Sequence, residues 1–167
     1  MPHEIALFLV CLAFSACFSG SETALLTTNR LRLRRLAAEG DRSAVSILRL
    51  IHDPRRLLAG ILVGNNIANT LAASVATLYC VERYGEATGL ALATAAATVI
   101  LVLFGEFLPK TIAAMRPEYL SRVMGGFMRW VLYLLSPVVA PLEALSRPLS
   151  ALLRHRHEGL AMADLRL

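Results

Sequence analysis

Three long stretches of this sequence carry no charged residue. Ile5 to Ser21 covers 17 residues, Leu57 to Val81 covers 25 and Ala87 to Gly105 covers 19. Each falls within the roughly 17 to 25 residues that an α-helix needs to cross the hydrocarbon core of a bilayer. Backbone groups in hydrocarbon must find their hydrogen bonds within the protein, so such stretches are read as helices. The next apolar block, Trp130 to Leu142, has only 13 residues with Pro137 and Pro141 among them, which is too short to cross. The composition agrees, with 56% of the 167 residues hydrophobic, 17% charged and a mean hydropathy of +0.59. Soluble domains carry fewer apolar and more charged residues than this. The chain reads as an all-α membrane protein with three transmembrane helices.

The positive charge is concentrated rather than spread. Residues 27–56 hold eight arginines against Glu39, Asp41 and Asp53, an excess equal to the whole chain's net charge of +5. The residues after the third span are also arginine-rich, whereas the turn Glu82-Arg83-Tyr84-Gly85-Glu86 is net negative. Arginine marks the cytoplasmic side, so the N-terminus is expected outside, the loop after span one inside and the C-terminus inside. The basicity therefore reports topology and attraction to the lipid surface, and no nucleic-acid partner is expected. Cleavage of the first block as a signal peptide is disfavoured because Met1-Pro2-His3-Glu4 lacks the expected lysine or arginine. Cys11, Cys17 and Cys80 lie in apolar runs, and the first two are about 9 Å apart by helical rise, too far for a disulfide.

The loop after span one has the punctuation of two helices. Asn29 to Ala38 stops at Gly40, and Asp41 can cap a second helix in which Ala44, Ile47, Leu48 and Ile51 form an apolar stripe. Asp53-Pro54 reads as an N-cap with proline at the first helical position, opening span two. After span three, Leu120, Val123, Met124, Phe127, Val131 and Leu134 form an amphipathic stripe suited to a helix lying along the membrane face. Residues 1–150 thus read as one transmembrane domain. Its spans lie at about 5–28, 55–81 and 87–115, with a cytosolic helix pair at 29–53 and a juxtamembrane helix at about 117–150. Residues 151–167 read as a basic cytosolic tail.

Polar residues inside spans require partners. Span one holds Ser19-Gly20-Ser21-Glu22, span two holds Gly64-Asn65-Asn66 and Asn69, and span three holds Gly105-Glu106 with Pro109-Lys110. Ser21 lies nine residues from Arg30, Asn65 nine from Arg56 and Glu106 ten from Arg116. At 1.5 Å per residue these are similar depths, near the middle of a core roughly 30 Å thick. Asn65 and Asn69 share a helical face, with Asn66 turned about 100° away. Pro109 cannot donate to the carbonyl of Gly105. Hydroxyls, amide oxygens, freed carbonyls and one carboxylate together suit a hard cation such as Mg²⁺, Ca²⁺ or Na⁺. Each group also has a plainer use. Serine and glycine allow helices to pack, and asparagines can hydrogen-bond between helices. Glu106 could pair with Lys110 one turn on, and Glu22 could cap or pair at the inner end of span one.

At these residues the chain resembles the transmembrane (DUF21) domain of the CorB/CorC and cyclin-M family of magnesium transporters, its bacterial CorC branch above all. The resemblance rests on Phe18-Ser19-Gly20-Ser21-Glu22-Thr23-Ala24-Leu25, Ala38-Glu39-Gly40-Asp41, Asp53-Pro54, Gly64-Asn65 with Asn69, and Gly105-Glu106 through Pro109-Lys110, in order. It implies a homodimer of three-span subunits in the cell (inner or plasma) membrane and Na⁺-dependent transport of Mg²⁺. Carried over by position, the family's cation site falls on Ser19, Ser21, Asn65, Asn69, Gly105 and Glu106, with Lys110 structural. Ser21, the two asparagines and Glu106 are expected to use side chains, and Ser19 and Gly105 their carbonyls. Full-length relatives continue into a cytosolic CBS-domain pair that binds ATP. Residues 151–167 would begin the linker to such a region, and ATP is expected to act only through it. Two other readings remain open at this point. One is a membrane-embedded Mg²⁺ sensor or scaffold that regulates another transporter. The other, an intramembrane hydrolase with Ser21 as nucleophile and Lys110 as base, lacks an oxyanion-hole motif, so no enzymatic activity is expected.

Overall fold

A computed structural model of the chain describes residues 2–141 and 144. Helix α1 (Pro2–Thr27) leads into the short pair α2 (Arg30–Ala38) and α3 (Arg42–His52), and α4 (Pro54–Tyr84) follows. The third long helix consists of α5 (Glu86–Ile100), a π-helical stretch (Leu101–Phe107) and α6 (Leu108–Met115), and α7 (Pro117–Leu134) completes the set. No strand occurs among the described residues. Three helices, His3–Thr27, Pro54–Tyr84 and Glu86–Met115, are long and apolar enough to cross a membrane. Their outward faces carry large apolar side chains such as Leu62, Leu78 and Phe107, each at least 60% exposed. Lipid tails can cover such faces where water would not.

The helix ends follow from local chemistry. Asn29 caps α2, its side chain accepting from the N–H groups of Leu31 and Arg32. Asp41 caps α3 through Ser43 and Ala44, and Asp53 accepts from the N–H of Arg56 with Pro54 opening α4. Gly40 ends the α2 segment at φ +92°, a left-handed conformation that side chains disfavour. The link between the second and third long helices is tighter than the sequence suggests. The α4 helix runs through Glu82 and Arg83 to Tyr84, and Gly85 alone, at φ +82°, reverses the chain into α5. So short a connection presses the two helices together. A Cβ at Gly89 would lie 2.5 Å from the carbonyl oxygen of Cys80.

The amphipathic helix after span three buries a face that overlaps the apolar stripe in its sequence only in part, at Val131 and at Phe127, which packs against the core. Ser121, Gly125, Met128, Val131 and Leu132 are buried, whereas Val123 and Leu134 are more than half exposed. The α7 helix is apolar on two sides. One side closes a core with Leu25, Leu33, Ile47, Ile51, Leu57 and Ile61, while the other faces outward. A buried hydrogen bond between Thr28 and Ser121, at 3.3 Å, and ion pairs Arg32–Glu118 and Arg122–Asp41, at 2.8 and 3.0 Å, fix α7 against the helix pair. Helical conformation resumes at 136–141, and the expected continuation to about residue 150, like the basic tail at 151–167, lies outside the described residues.

Candidate cation site

Helix α1 and the third long helix run side by side in the same direction. Ser15 meets Gly105, Ser19 meets Glu106, Gly20 meets Pro109 and Glu22 meets Lys110. Gly105 makes this approach possible, since a Cβ there would lie 2.8 Å from the Ser15 hydroxyl oxygen. Helix α4 packs across both in the opposite sense, so Gly64 faces the ring of Phe18 and Asn65 faces Ser15. The three polar motifs therefore meet at one level inside the bundle.

The hydrogen bonds define the centre. The Asn69 amide donates from Nδ2 to Glu106 Oε1 at 3.2 Å, and the Ser19 hydroxyl donates to the backbone carbonyl of Glu106 at 3.3 Å. The Ser15 hydroxyl donates to Asn65 Oδ1 at 3.1 Å. Asn69 Oδ1 is buried with no hydrogen-bond partner. A buried acceptor without a donor costs free energy, and such an atom asks for a ligand. Next to it, the Glu106 carboxylate has no basic partner among the described residues. Lys110 instead pairs with Glu22 at 3.2 Å, which replaces the Glu106–Lys110 pair that their spacing allows. The reason is register, because the parallel packing of α1 and α6 brings Glu22 to Lys110, whereas Glu106 sits in the π-helical stretch facing α4.

That stretch alters which carbonyls are free. The Leu108 N–H bonds to the carbonyl of Leu103, five residues back, and Pro109 has no N–H to give. Pro109 thus leaves one backbone acceptor in this stretch without its usual helical donor. Not every expected residue joins the cluster. Ser21 is fully buried, but its hydroxyl turns back to the Cys17 carbonyl at 2.6 Å. Two residues on from Ser19, it points about 200° away around the helix. Asn66, turned away from the face of Asn65 and Asn69 as its spacing predicts, is exposed and bonds to the Leu62 carbonyl. Ser15 is the residue that sequence reasoning missed. It lies four residues before Ser19 on the same face, and that i, i+4 pair was the available signal. Among the described residues no group of three or more His, Cys, Asp or Glu side chains converges, so one carboxylate and neutral oxygens make up the centre.

Fold and centre together define a multi-pass membrane protein with polar groups gathered inside its helical bundle. The chain belongs to the cyclin M family, since the family's transmembrane N-terminal domain matches residues 6–165. It is 42% identical over 135 residues to the UPF0053 inner membrane protein YfjD of Escherichia coli, covering 81% of this chain. It is 39% identical over 133 residues to a UPF0053 protein of Haemophilus influenzae, covering 80% of this chain. A polyamine export protein of Haemophilus influenzae is 23% identical across 98% of the chain and 41% of its own length. The chain spans 31% of the length of each of the first two relatives.

Proposed function

We propose that this domain transports Mg²⁺, binding a largely dehydrated ion between Glu106, Asn69, Asn65, Ser19 and the carbonyls of the π-helical stretch around Gly105. The single observation that carries the reading is a Glu106 carboxylate with no basic partner among the described residues beside the buried Asn69 Oδ1, which has no hydrogen-bond partner among them. Both are hard oxygen donors of the kind that Mg²⁺ prefers, and Glu106 offsets part of its charge. Ser21 joins the site only after its hydroxyl leaves the Cys17 carbonyl. The irregular backbone from Leu101 to Pro109 supplies the joint at which one half of the third helix moves against the other, opening the site alternately to each face. The subunits act as a homodimer in the inner or plasma membrane, with the N-terminus outside, and Na⁺ is the coupling ion.

The test is Mg²⁺ flux into liposomes holding the protein, with and without a Na⁺ gradient, beside Glu106→Ala. Na⁺-dependent flux that disappears in the variant is the expected outcome. Undiminished flux in Glu106→Ala overturns the site, and Mg²⁺ binding without any flux favours a sensor or scaffold.

A further inference from the structure

Away from the mid-span centre, a cleft of about 380 Å³ opens where α3, α4 and α7 meet, within the size range of small-molecule sites. Three arginines from three helices surround it, Arg49 of α3, Arg56 of α4 and Arg129 of α7, joined by Ser46 and Tyr133. Among the described residues none of these arginines belongs to an ion pair; the pairs found there use Arg32, Arg35, Arg122 and Lys110. Asp53 also lines the cleft, its carboxylate accepting from the backbone N–H of Arg56, so the lining carries three positive charges against one negative. The floor is apolar, formed by the buried side chains of Leu57 and Leu132. A net positive lining above an apolar floor suits an anion attached to hydrocarbon, because each guanidinium offers a planar fork to phosphate oxygens.

The position of the cleft indicates which anion. It lies at the first turn of a bilayer-length helix, Pro54–Tyr84, and the ends of a helix of that length reach the headgroup layer. Trp130 and Tyr133 on the neighbouring α7 are 57% and 81% exposed, and amphipathic aromatic rings favour this layer. We propose that the cleft is a binding site for the phosphate headgroup of an anionic phospholipid, held by Arg49, Arg56 and Arg129. The bound lipid offsets part of the excess positive charge and ties α7 to the start of α4, so it stabilises the packing of the juxtamembrane helix.

The experiment measures binding of phosphatidylglycerol to the full chain in neutral detergent, by native mass spectrometry and by the thermal shift that it produces. Phosphatidylcholine and inorganic phosphate are run in parallel. The double variants Arg49→Gln/Arg129→Gln and Arg34→Gln/Arg42→Gln remove equal charge inside and outside the cleft, and Arg49→Lys/Arg129→Lys retains it. Saturable binding of phosphatidylglycerol is expected, weakened roughly thirtyfold in the first variant, less than about threefold in the second and to an intermediate degree in the lysine variant, which keeps the charge and loses the planar fork. Equal losses in the two glutamine variants would mean diffuse attraction and overturn the site. A thermal shift reproduced by inorganic phosphate alone, or by phosphatidylcholine, would overturn the lipid assignment. Should the first variant fold poorly, undiminished binding by Arg56→Gln and Arg129→Gln taken singly would also overturn it.

Discussion

Lys110 Nζ lies 3.2 Å from Glu22 Oε2, so the one lysine of the third helix is held away from the carboxylate of Glu106 one turn earlier. Removing either partner should have unequal consequences. Glu22→Gln releases Lys110 on the same helix as Glu106 and lets it compete with a cation, whereas Lys110→Met introduces no competitor. Calorimetric titration with Mg²⁺ should show affinity falling about twofold in Glu22→Gln and little change in Lys110→Met, as expected for an i, i+4 charge contact. Equal behaviour of the two variants would mean that Lys110 does not act as a competitor.

The Asn69 amide links the Glu106 carboxylate to an oxygen that has no partner of its own. Asn69→Ala removes both and should weaken Mg²⁺ binding by roughly ten- to a hundredfold. Ser15→Ala removes only the donor to Asn65 and should weaken it less. Asn66→Ala, on the exposed side of α4, should leave affinity unchanged, and a loss there equal to that of Asn69→Ala would argue against the face assigned to the site.

Gly89 packs against backbone, which cannot give way as a side chain can. Gly89→Ala should cost about 1–3 kcal/mol through overpacking of α4 against α5. Gly126→Ala meets nothing within 4 Å on an exposed helix face and should stabilise by about 0.5–1 kcal/mol. Thermal unfolding in detergent tests both, and a neutral Gly89→Ala would mean that the helices are not so closely apposed.

Asp41 has two tasks, capping α3 and pairing with Arg122. Asparagine caps as well as aspartate, so Asp41→Asn loses only the partly exposed pair, worth at most about 1 kcal/mol. Asp41→Ala loses the cap too, at about 1 kcal/mol more. Unfolding midpoints should therefore fall in the order wild type, Asp41→Asn, Asp41→Ala.

The cap residues Asp41 and Asp53 were legible in the sequence because a cap involves atoms only two or three residues apart, whereas Asn29, read as the first residue of its helix, proves to be a cap. The comparable depths of Ser21, Asn65 and Glu106 could be read from the sequence because helical rise converts residue counts into distance. The contribution of Ser15 was not, since a buried serine and a packing serine look alike until the opposing helix is placed. The buried face of α7 escaped for a related reason. Its sequence is apolar on two sides, and periodicity alone cannot say which side meets protein.

Three charge-free stretches, their arginine-rich flanks and their polar interruptions determined by themselves that this chain forms three bilayer-length helices with oxygen donors at mid-span. Those properties follow from hydropathy and helical rise, which are local. The tertiary structure alone decided that Lys110 pairs with Glu22, that Ser21 turns back to its own helix and that Glu106 faces Asn69. Those outcomes depend on the register between helices far apart in the chain, set by close contacts such as Ser15 on Gly105 and Phe18 on Gly64.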